Sequence, residues 1–526
     1  MARRPNFLLF VTDQHRADHL GCYGNTEVRT PHIDALAAQG CRFDQFHVAT
    51  PICQPNRASL MTGRLPSAHG VQMNGRELSH GERTFVDTLR EDGYRTALLG
   101  KAHLQNITTV PAPWPGVGQR LPHDARRPYP GRHGQEVWKR WEDDPDFELA
   151  LPYYGFEHVR LTIGHADEQH GHWRRWLRQQ TRDADRLIGP ENAIPTPEWQ
   201  LTALRQAWRT RVPEALYPTA YIAGQTCEWL AQRANDEQPF FVQCSFPDPH
   251  HPFTPPGRYW DMFRPDDVSL PTSFHAELTD PPPPVRWLRE QRQRQPGFKP
   301  AYGAFACSER EAREAIALNH GSLACVDDAV GRVMEQLQAL GLSDNTVVMF
   351  TSDHGELLGD RGLMFKGGLH YSALTRVPFI WRDPAQRTTQ AASGALAQTT
   401  DIAPTVLAHA GLAPANGMHG RSLLPVLAGE TGAVRERLLI EEESQRSDFG
   451  LDRRVRMRTL HDHRHRLTVY DGQAWGELYD LQEDPLELRN LWHDEAAQTL
   501  RAGLMESLVQ TMLSAADGSP YPEASA

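Results

Sequence analysis

Four short polar clusters in this chain carry residue types that can do chemistry. Asp13-Gln14 and Asp353-His354 each join a carboxylate to a second ligand type. Two carboxylates brought together without compensation repel, and one is forced to keep a proton. A divalent cation removes the conflict. Three oxygen donors and one imidazole suit Mn2+, Mg2+ or Ca2+ better than zinc, and the nitrogen favours manganese. A single Asp is more often a cap or turn residue; two, each with a second ligand attached, reverse that balance. The cationic residues are Arg57, Lys101 and Lys366, with His103 and His250 beside them. Against one divalent ion and two carboxylates they leave a net positive site, which would hold an anionic tetrahedral group by charge-assisted hydrogen bonds. Taken alone, Lys366 in GLMFKGG reads as a solvated loop lysine. Cys53, in TPICQPNRASLMTGR, is harder to place. Its setting is polar and interrupted by proline, unlike a core thiol, and no second cysteine follows at zinc or redox spacing.

The elements that must position these groups are short apolar runs that end in the clusters. NFLLFV precedes Asp13, TALLG precedes Lys101, FFVQCSF precedes Pro247 to His251, and TVVMFT precedes Asp353. Such runs suit strands buried on both faces. Helix-like segments lie between them: PHIDALAAQG, RTFVDTLREDG, residues 309–340 and DIAPTVLAHAGL. The alternation predicts an α/β fold with a mostly parallel central sheet flanked by helices, whose ligands gather beyond the carboxyl ends of the strands. Residues 105–238 and 257–300 are rich in Trp, Arg, His and Pro and show little periodicity. They read as insertions over the strand ends, either substrate-selecting walls or irregular surface packing. HRLTVYDGQAWGELYDL predicts a hairpin around Asp471-Gly472, followed by a helix over 494–514. The expected division is a catalytic α/β domain over 1–424 and a small α+β subdomain over 425–526.

Composition narrows the function class. The 526 residues are 39% hydrophobic and 23% charged, with mean hydropathy −0.57, enough to build a sizeable core. A net charge of −11 argues against nucleic acid as a main partner. Seven cysteines without CxxC spacing point to a reducing compartment. The N-terminal apolar run, Phe7 to Val11, is short for a secretory signal, and no run approaches a membrane span. The expectation is a cytoplasmic protein with no membrane partner.

Cys53-Gln54-Pro55-Asn56-Arg57 with Thr62-Gly63-Arg64 resembles the type I, formylglycine-dependent sulfatase signature of the alkaline phosphatase superfamily. GKAHL resembles that family's second signature, and DPHHPF, DNTVVMFTSDHG, TDIAPTVLAHAGL and ELYDLQEDPLELRNL resemble further blocks in the right order. The resemblance implies that a maturation enzyme oxidises Cys53 to formylglycine, whose aldehyde hydrates. One hydroxyl attacks sulfur or phosphorus, and the second then expels the anion, which a serine could not do. It further implies a divalent ion (Mn2+ or Ca2+, with Mg2+ the weaker fit) on Asp13, Gln14, Asp353, His354 and modified Cys53. Arg57 matches the residue orienting the diol, Asn74 a polar site residue, and Lys101 and His103 the pair contacting the diol. His250 and Lys366 match the groups gripping the transferred anion, with His251 a weaker candidate. Asp13-Gln14 and Asp353-His354 resemble the phosphonate monoester hydrolase and choline-sulfatase branches, whereas Lys101 and His103 are sulfatase-like.

Sulfate monoester hydrolysis is therefore the leading expectation. Phosphonate monoester or phosphodiester hydrolysis by the same nucleophile is the alternative, and a non-catalytic anion-binding scaffold the third reading. The expected partners are a small sulfate or phosphonate ester and the maturation enzyme, with a homodimer or homotetramer compatible with an acidic chain bearing a C-terminal appendage.

Overall fold

The computed structural model describes residues 4–112, 123–125, 131–300, 303–385, 390–445 and 449–525. The apolar run Asn6–Thr12 is the middle of a nine-stranded, mostly parallel sheet. In spatial order the strands are 392–393, 41–43, 379–382, 346–352, 6–12, 240–245, 95–100, 158–163 and 170–171. Strand 379–382 runs antiparallel between its neighbours, and 170–171 is antiparallel at one edge. Side-chain alternation along 6–12 feeds two cores. Phe7, Leu9 and Val11 join the core of helices Cys53–Thr62, Phe85–Glu91 and Ile402–His409, while Leu8 and Phe10 join that of helices Pro31–Ala38, Pro218–Ala231 and Glu309–Ala339. The long helix 309–339 follows its predicted span and starts at a Ser308–Glu311 capping box, which satisfies the first orphan amides reciprocally.

The stretch 105–238 departs from expectation. Its strand His158–Ile163 pairs in parallel with 95–100, and its helix Pro218–Ala231 covers the sheet, so part of it belongs to the central fold. Near the edge of the sheet, His158 and Arg160 keep a partly exposed face, which breaks up the continuous apolar signal of the inner strands. Residues 113–122 and 126–130 of that stretch lie outside the described residues. The stretch 257–300 likewise holds a helix, Pro283–Arg294, entered through proline at its first position.

Strands Leu438–Glu443, Arg456–His461, His465–Tyr470 and Gly476–Asp480 form an antiparallel sheet, with the predicted hairpin turning through Gly472 at φ +67°. Helix Gln498–Ser514 packs Leu504 and Leu508 against Leu460, Leu467 and Leu478 of this sheet. Among the described residues no helix is long and apolar enough to cross a membrane.

Candidate active site

The four polar clusters leave the carboxyl ends of four adjacent parallel strands, 346–352, 6–12, 240–245 and 95–100. The ladder continues into the clusters. Asp353 N donates to Thr12 O at 3.1 Å, Asp13 N to Asp248 O at 3.2 Å, and Lys101 N to Ser245 O at 3.0 Å. Gly100, at φ +110°, permits the last step, since a Cβ there would lie 1.9 Å from Ser245 O.

Cys53 is the first residue of helix 53–62, and Arg57, one turn on, shares its face. Pro55 falls within the first turn, where its missing amide costs no helical hydrogen bond. Arg57 Nε donates to Asp353 Oδ2 at 2.7 Å, and Nη1 donates to Lys101 O at 3.0 Å and Ser245 Oγ at 2.9 Å. Nη2 lies 3.6 Å from Asp13 Oδ2. One guanidinium thus ties helix 53–62 to three strand ends. Asn56 adds a bond from Nδ2 to Asp353 O. The Thr62-Gly63-Arg64 extension works elsewhere: Gly63 ends the helix at φ +67°, and Arg64 pairs with Glu82 and Asp517. Asn74 lies against the thiol, with Oδ1 3.8 Å from Sγ, and accepts the Gln54 amide at 3.2 Å.

The donor set at Asp13 and Asp353 fits a divalent cation. Asp13 Oδ1 is buried and makes no hydrogen bond. His354 Nδ1 donates to Gly355 O at 2.9 Å, which turns Nε2 toward the cage, 3.4 Å from Asp13 Oδ1, 3.5 Å from Asp353 Oδ1 and 2.8 Å from Lys366 Nζ. Gln14, at φ +60°, donates its amide nitrogen to Glu356, so Oε1 is turned to the same side, where it accepts from Lys366 Nζ at 2.8 Å. The neighbouring group of Asp13, His165 and His250 differs, because the Lys101 ammonium already bonds Asp13 Oδ2 and, at 2.7 Å, His165 Nε2.

Two lysines face this cage. Lys101 bridges Asp13 and His165, and Lys366 Nζ lies 3.0 Å from His250 Nε2 and 2.8 Å from His354 Nε2. Burial pushes the Asp13 carboxyl up, but the cations Lys101, Arg57 and Lys366 outweigh it and hold the group well below the usual carboxylate range. Burial likewise opposes ionisation of Cys53, yet His103, Lys366 and Lys101 hold that thiol well below its ordinary value. Burial, with His165 and Lys366 adding to it, keeps His250 neutral. Its Nδ1 hydrogen-bonds the His251 carbonyl, so Nε2 accepts from Lys366. His251 turns away, with Nδ1 2.9 Å from Gln206 Oε1 and its ring stacked on Phe365 at 3.6 Å.

The structure thus places Asp13, Gln14, Arg57, Lys101, His250, Asp353, His354 and Lys366 together, with Cys53, Asn74 and His103 beside them, while His251 points elsewhere. Sequence reasoning missed three that support them. His165 stacks on His250 at 3.7 Å and accepts from Lys101. Glu356 orients Gln14. Glu136 holds the amides of His103, Leu104 and Gln105. None lies in a strand-end cluster predicted by pattern, although all are charged or titratable residues that are buried or partly buried.

Comparison with known proteins agrees with this arrangement. The family model for sulfatases matches residues 5–412, and that for the C-terminal part of N-sulphoglucosamine sulphohydrolase matches 359–514. An arylsulfatase of Clostridium perfringens is 26% identical over 501 residues, covering 94% of this chain and 91% of the relative. A multifunctional alkaline phosphatase superfamily protein of Trinickia caryophylli is 28% identical, covering 98% of this chain and 96% of its own. The solved phosphonate monoester hydrolase of Agrobacterium radiobacter superposes with a TM-score of 0.76 at 27% identity, over 98% of this chain and 97% of that one. The strand-end geometry and the match over most of the chain agree: it belongs to the sulfatase family of the alkaline phosphatase superfamily and is a sulfuric ester hydrolase.

Proposed function

We propose that the chain hydrolyses sulfate monoesters to an alcohol and inorganic sulfate, using residue 53 after a maturation enzyme has converted Cys53 to formylglycine. One observation carries the reading: position 53 heads a buried helix, beside Asn74 and within the field of His103, Lys366 and Lys101, next to a carboxylate–imidazole cage. The hydrated aldehyde supplies a nucleophilic hydroxyl and a second hydroxyl for release, and a divalent ion on Asp13, Gln14, Asp353 and His354 supplies Lewis acidity. The imidazole in that set favours Mn2+, with Ca2+ the alternative. Arg57 fixes the helix to the cage, and Lys101 and Lys366 bring positive charge to the transferred anion. His103 takes a proton from position 53. Lys366, whose proton is shared with neutral His250, protonates the leaving oxygen, a step worth roughly 10²–10⁴ in rate. All seven cysteines are free, which supports a cytoplasmic location.

A second reading, phosphonate monoester hydrolysis, is favoured by Gln14 and His354 together with the likeness to the Agrobacterium enzyme. The ratio of kcat/KM on 4-nitrophenyl sulfate to that on a 4-nitrophenyl phosphonate monoester separates the two. The first test is the mass of the peptide carrying residue 53, paired with turnover by Cys53→Ala. An aldehyde or hydrate mass and a loss of roughly a thousandfold or more support the mechanism. An unmodified thiol, or undiminished turnover by Cys53→Ala, overturns it.

A further inference from the structure

His103 has φ +52°, a backbone conformation that non-glycine residues seldom adopt without something holding them there. What holds it is a buried carboxylate from far along the chain. Glu136, 1% exposed, accepts the His103 amide on Oε2 at 2.8 Å and the Leu104 and Gln105 amides on Oε1 at 2.7 and 2.9 Å. Tyr153 OH donates to Oε1 at 2.6 Å. Among the described residues Glu136 forms no ion pair, so these four donors balance its charge. Three consecutive amides converge on one carboxylate only if the chain bends sharply, and that bend follows Lys101 and carries the imidazole whose field acts on position 53. The clamp is itself anchored. Gln135 N donates to Gln105 Oε1 at 2.8 Å, Gly134 N to Glu77 Oε1 at 2.9 Å, and Trp138 N to Ile107 O at 3.0 Å.

We propose that Glu136 is a positioning residue of the hydrolase: its carboxylate sets the turn that aims His103 at residue 53. This rests on the hydrolase reading above. It gives the 131–138 stretch a share in catalysis, where the sequence suggested a substrate wall or surface packing. The step served is release. His103 accepts the proton of the free hydroxyl at residue 53, the carbonyl reforms, and the bond to the transferred oxygen breaks with its electron pair leaving on sulfate.

The test uses full-length Glu136→Gln. Its side-chain oxygen can still accept from Leu104 and Gln105, but its NH2 group faces the His103 amide with a donor. Expected is a fall in kcat of roughly 100-fold with KM changed by less than about threefold, since misplacement by about an ångström costs that much. The same substitution in a His103→Ala background should cost less than about threefold more, because it acts through that imidazole. A second readout needs no turnover: in protein made without the maturation enzyme, Glu136→Gln should slow alkylation of Cys53 by iodoacetamide at pH 7 by about threefold or more, as His103 moves away. Tyr153→Phe, which leaves all three amide bonds, should keep both values within about twofold. If Glu136→Gln does not fold, Glu136→Asp, one methylene short, takes its place with the same expectations. Unchanged kcat and alkylation in the folded variant overturn the proposal, as does an undiminished cost in the His103→Ala background. If the wild type turns over neither sulfate nor phosphonate esters, the hydrolase reading fails. The alkylation result then still decides whether Glu136 positions His103.

Discussion

Two clusters of buried charge can be set side by side. One is the strand-end centre of Asp13, Arg57, Lys101, Asp353 and Lys366. The other lies at the C-terminal antiparallel sheet, where it meets Tyr371 and Ser372. There Arg466, fully buried, bonds Glu487 through Nε, Thr468 Oγ1 at 2.9 Å through Nη1 and Glu477 Oε2 at 3.1 Å through Nη2. Its guanidinium lies 4.6 Å from the Tyr479 ring centroid and 5.1 Å from that of Tyr371. Glu477 Oε1 accepts from Tyr470 OH, and Glu487 Oε2 accepts from Ser372 N at 2.8 Å. Both ends of that network are closed. In the strand-end centre, by contrast, Asp13 Oδ1, Arg57 Nη2 and His103 Nδ1 are buried without hydrogen-bond partners. Burial of charge is common to both. What separates a lock from a site is whether the donors and acceptors are used up within the chain.

Substitutions can break that contrast. The largest expected effect is on catalysis at the open cluster. Among the described residues Lys366 forms no ion pair, only contacts with Gln14, His250 and His354, and Asp13, which feels its charge, keeps Lys101 and Arg57 when it is removed. Lys366→Met should lower kcat roughly a thousandfold while shifting the melting midpoint by no more than about 2 °C. A large drop in the midpoint would mean that the open cluster also carries the fold. The closed cluster should behave in the opposite way. Glu477→Gln leaves Arg466 under-compensated in a dry setting and should cost about 3–5 kcal/mol in denaturant unfolding, with kcat per folded molecule within about twofold of wild type.

Ligand linkage sharpens the comparison. Mn2+ at about 100 times its dissociation constant should stabilise the wild type by about 2.7 kcal/mol, and His354→Ala by much less. Equal stabilisation of both would place the ion elsewhere. In the closed cluster the lever is pH. Burial pushes Glu487 up, but Arg466 and Arg361 outweigh it, so its folded value lies below the ordinary one. Its charge therefore stabilises the fold above the unfolded pKa of about 4.3, and the contribution is lost as pH falls through the lower folded value. The stability gap between wild type and Glu487→Gln should be flat from about pH 5 to 8 and close below about pH 4. A gap that widened on acidification would reverse the sign and exclude this reading. The smallest effect is expected at His165, which supports Lys101 from the side. His165→Ala should cost about tenfold in kcat/KM, and a loss as large as that of Lys366→Met would put His165 in contact with the substrate.

The positions of the polar clusters along the chain were legible in the sequence. Each inner strand is buried on both faces, so its apolar run must stop at the sheet edge, and the polar residues that follow have to line the carboxyl ends. Helix 53–62, which sets Cys53 and Arg57 on one face, was not legible, because its sequence is polar and interrupted by Pro55. The long helix 309–339 and the hairpin at Gly472 could be read because their signals are periodic and local. The rest depends on contacts between segments far apart in the chain. The strand 158–163, with His and Arg near a sheet edge, carries too little apolar pattern to be told from a loop. Glu136 reaches back 33 residues to the His103 amide, Glu356 reaches 342 to Gln14, and Lys101 meets His165 across 64. Such contacts join side chains through the interior at separations that no residue period encodes. Sheet order and the closing of irregular segments over the strand ends bring them into reach.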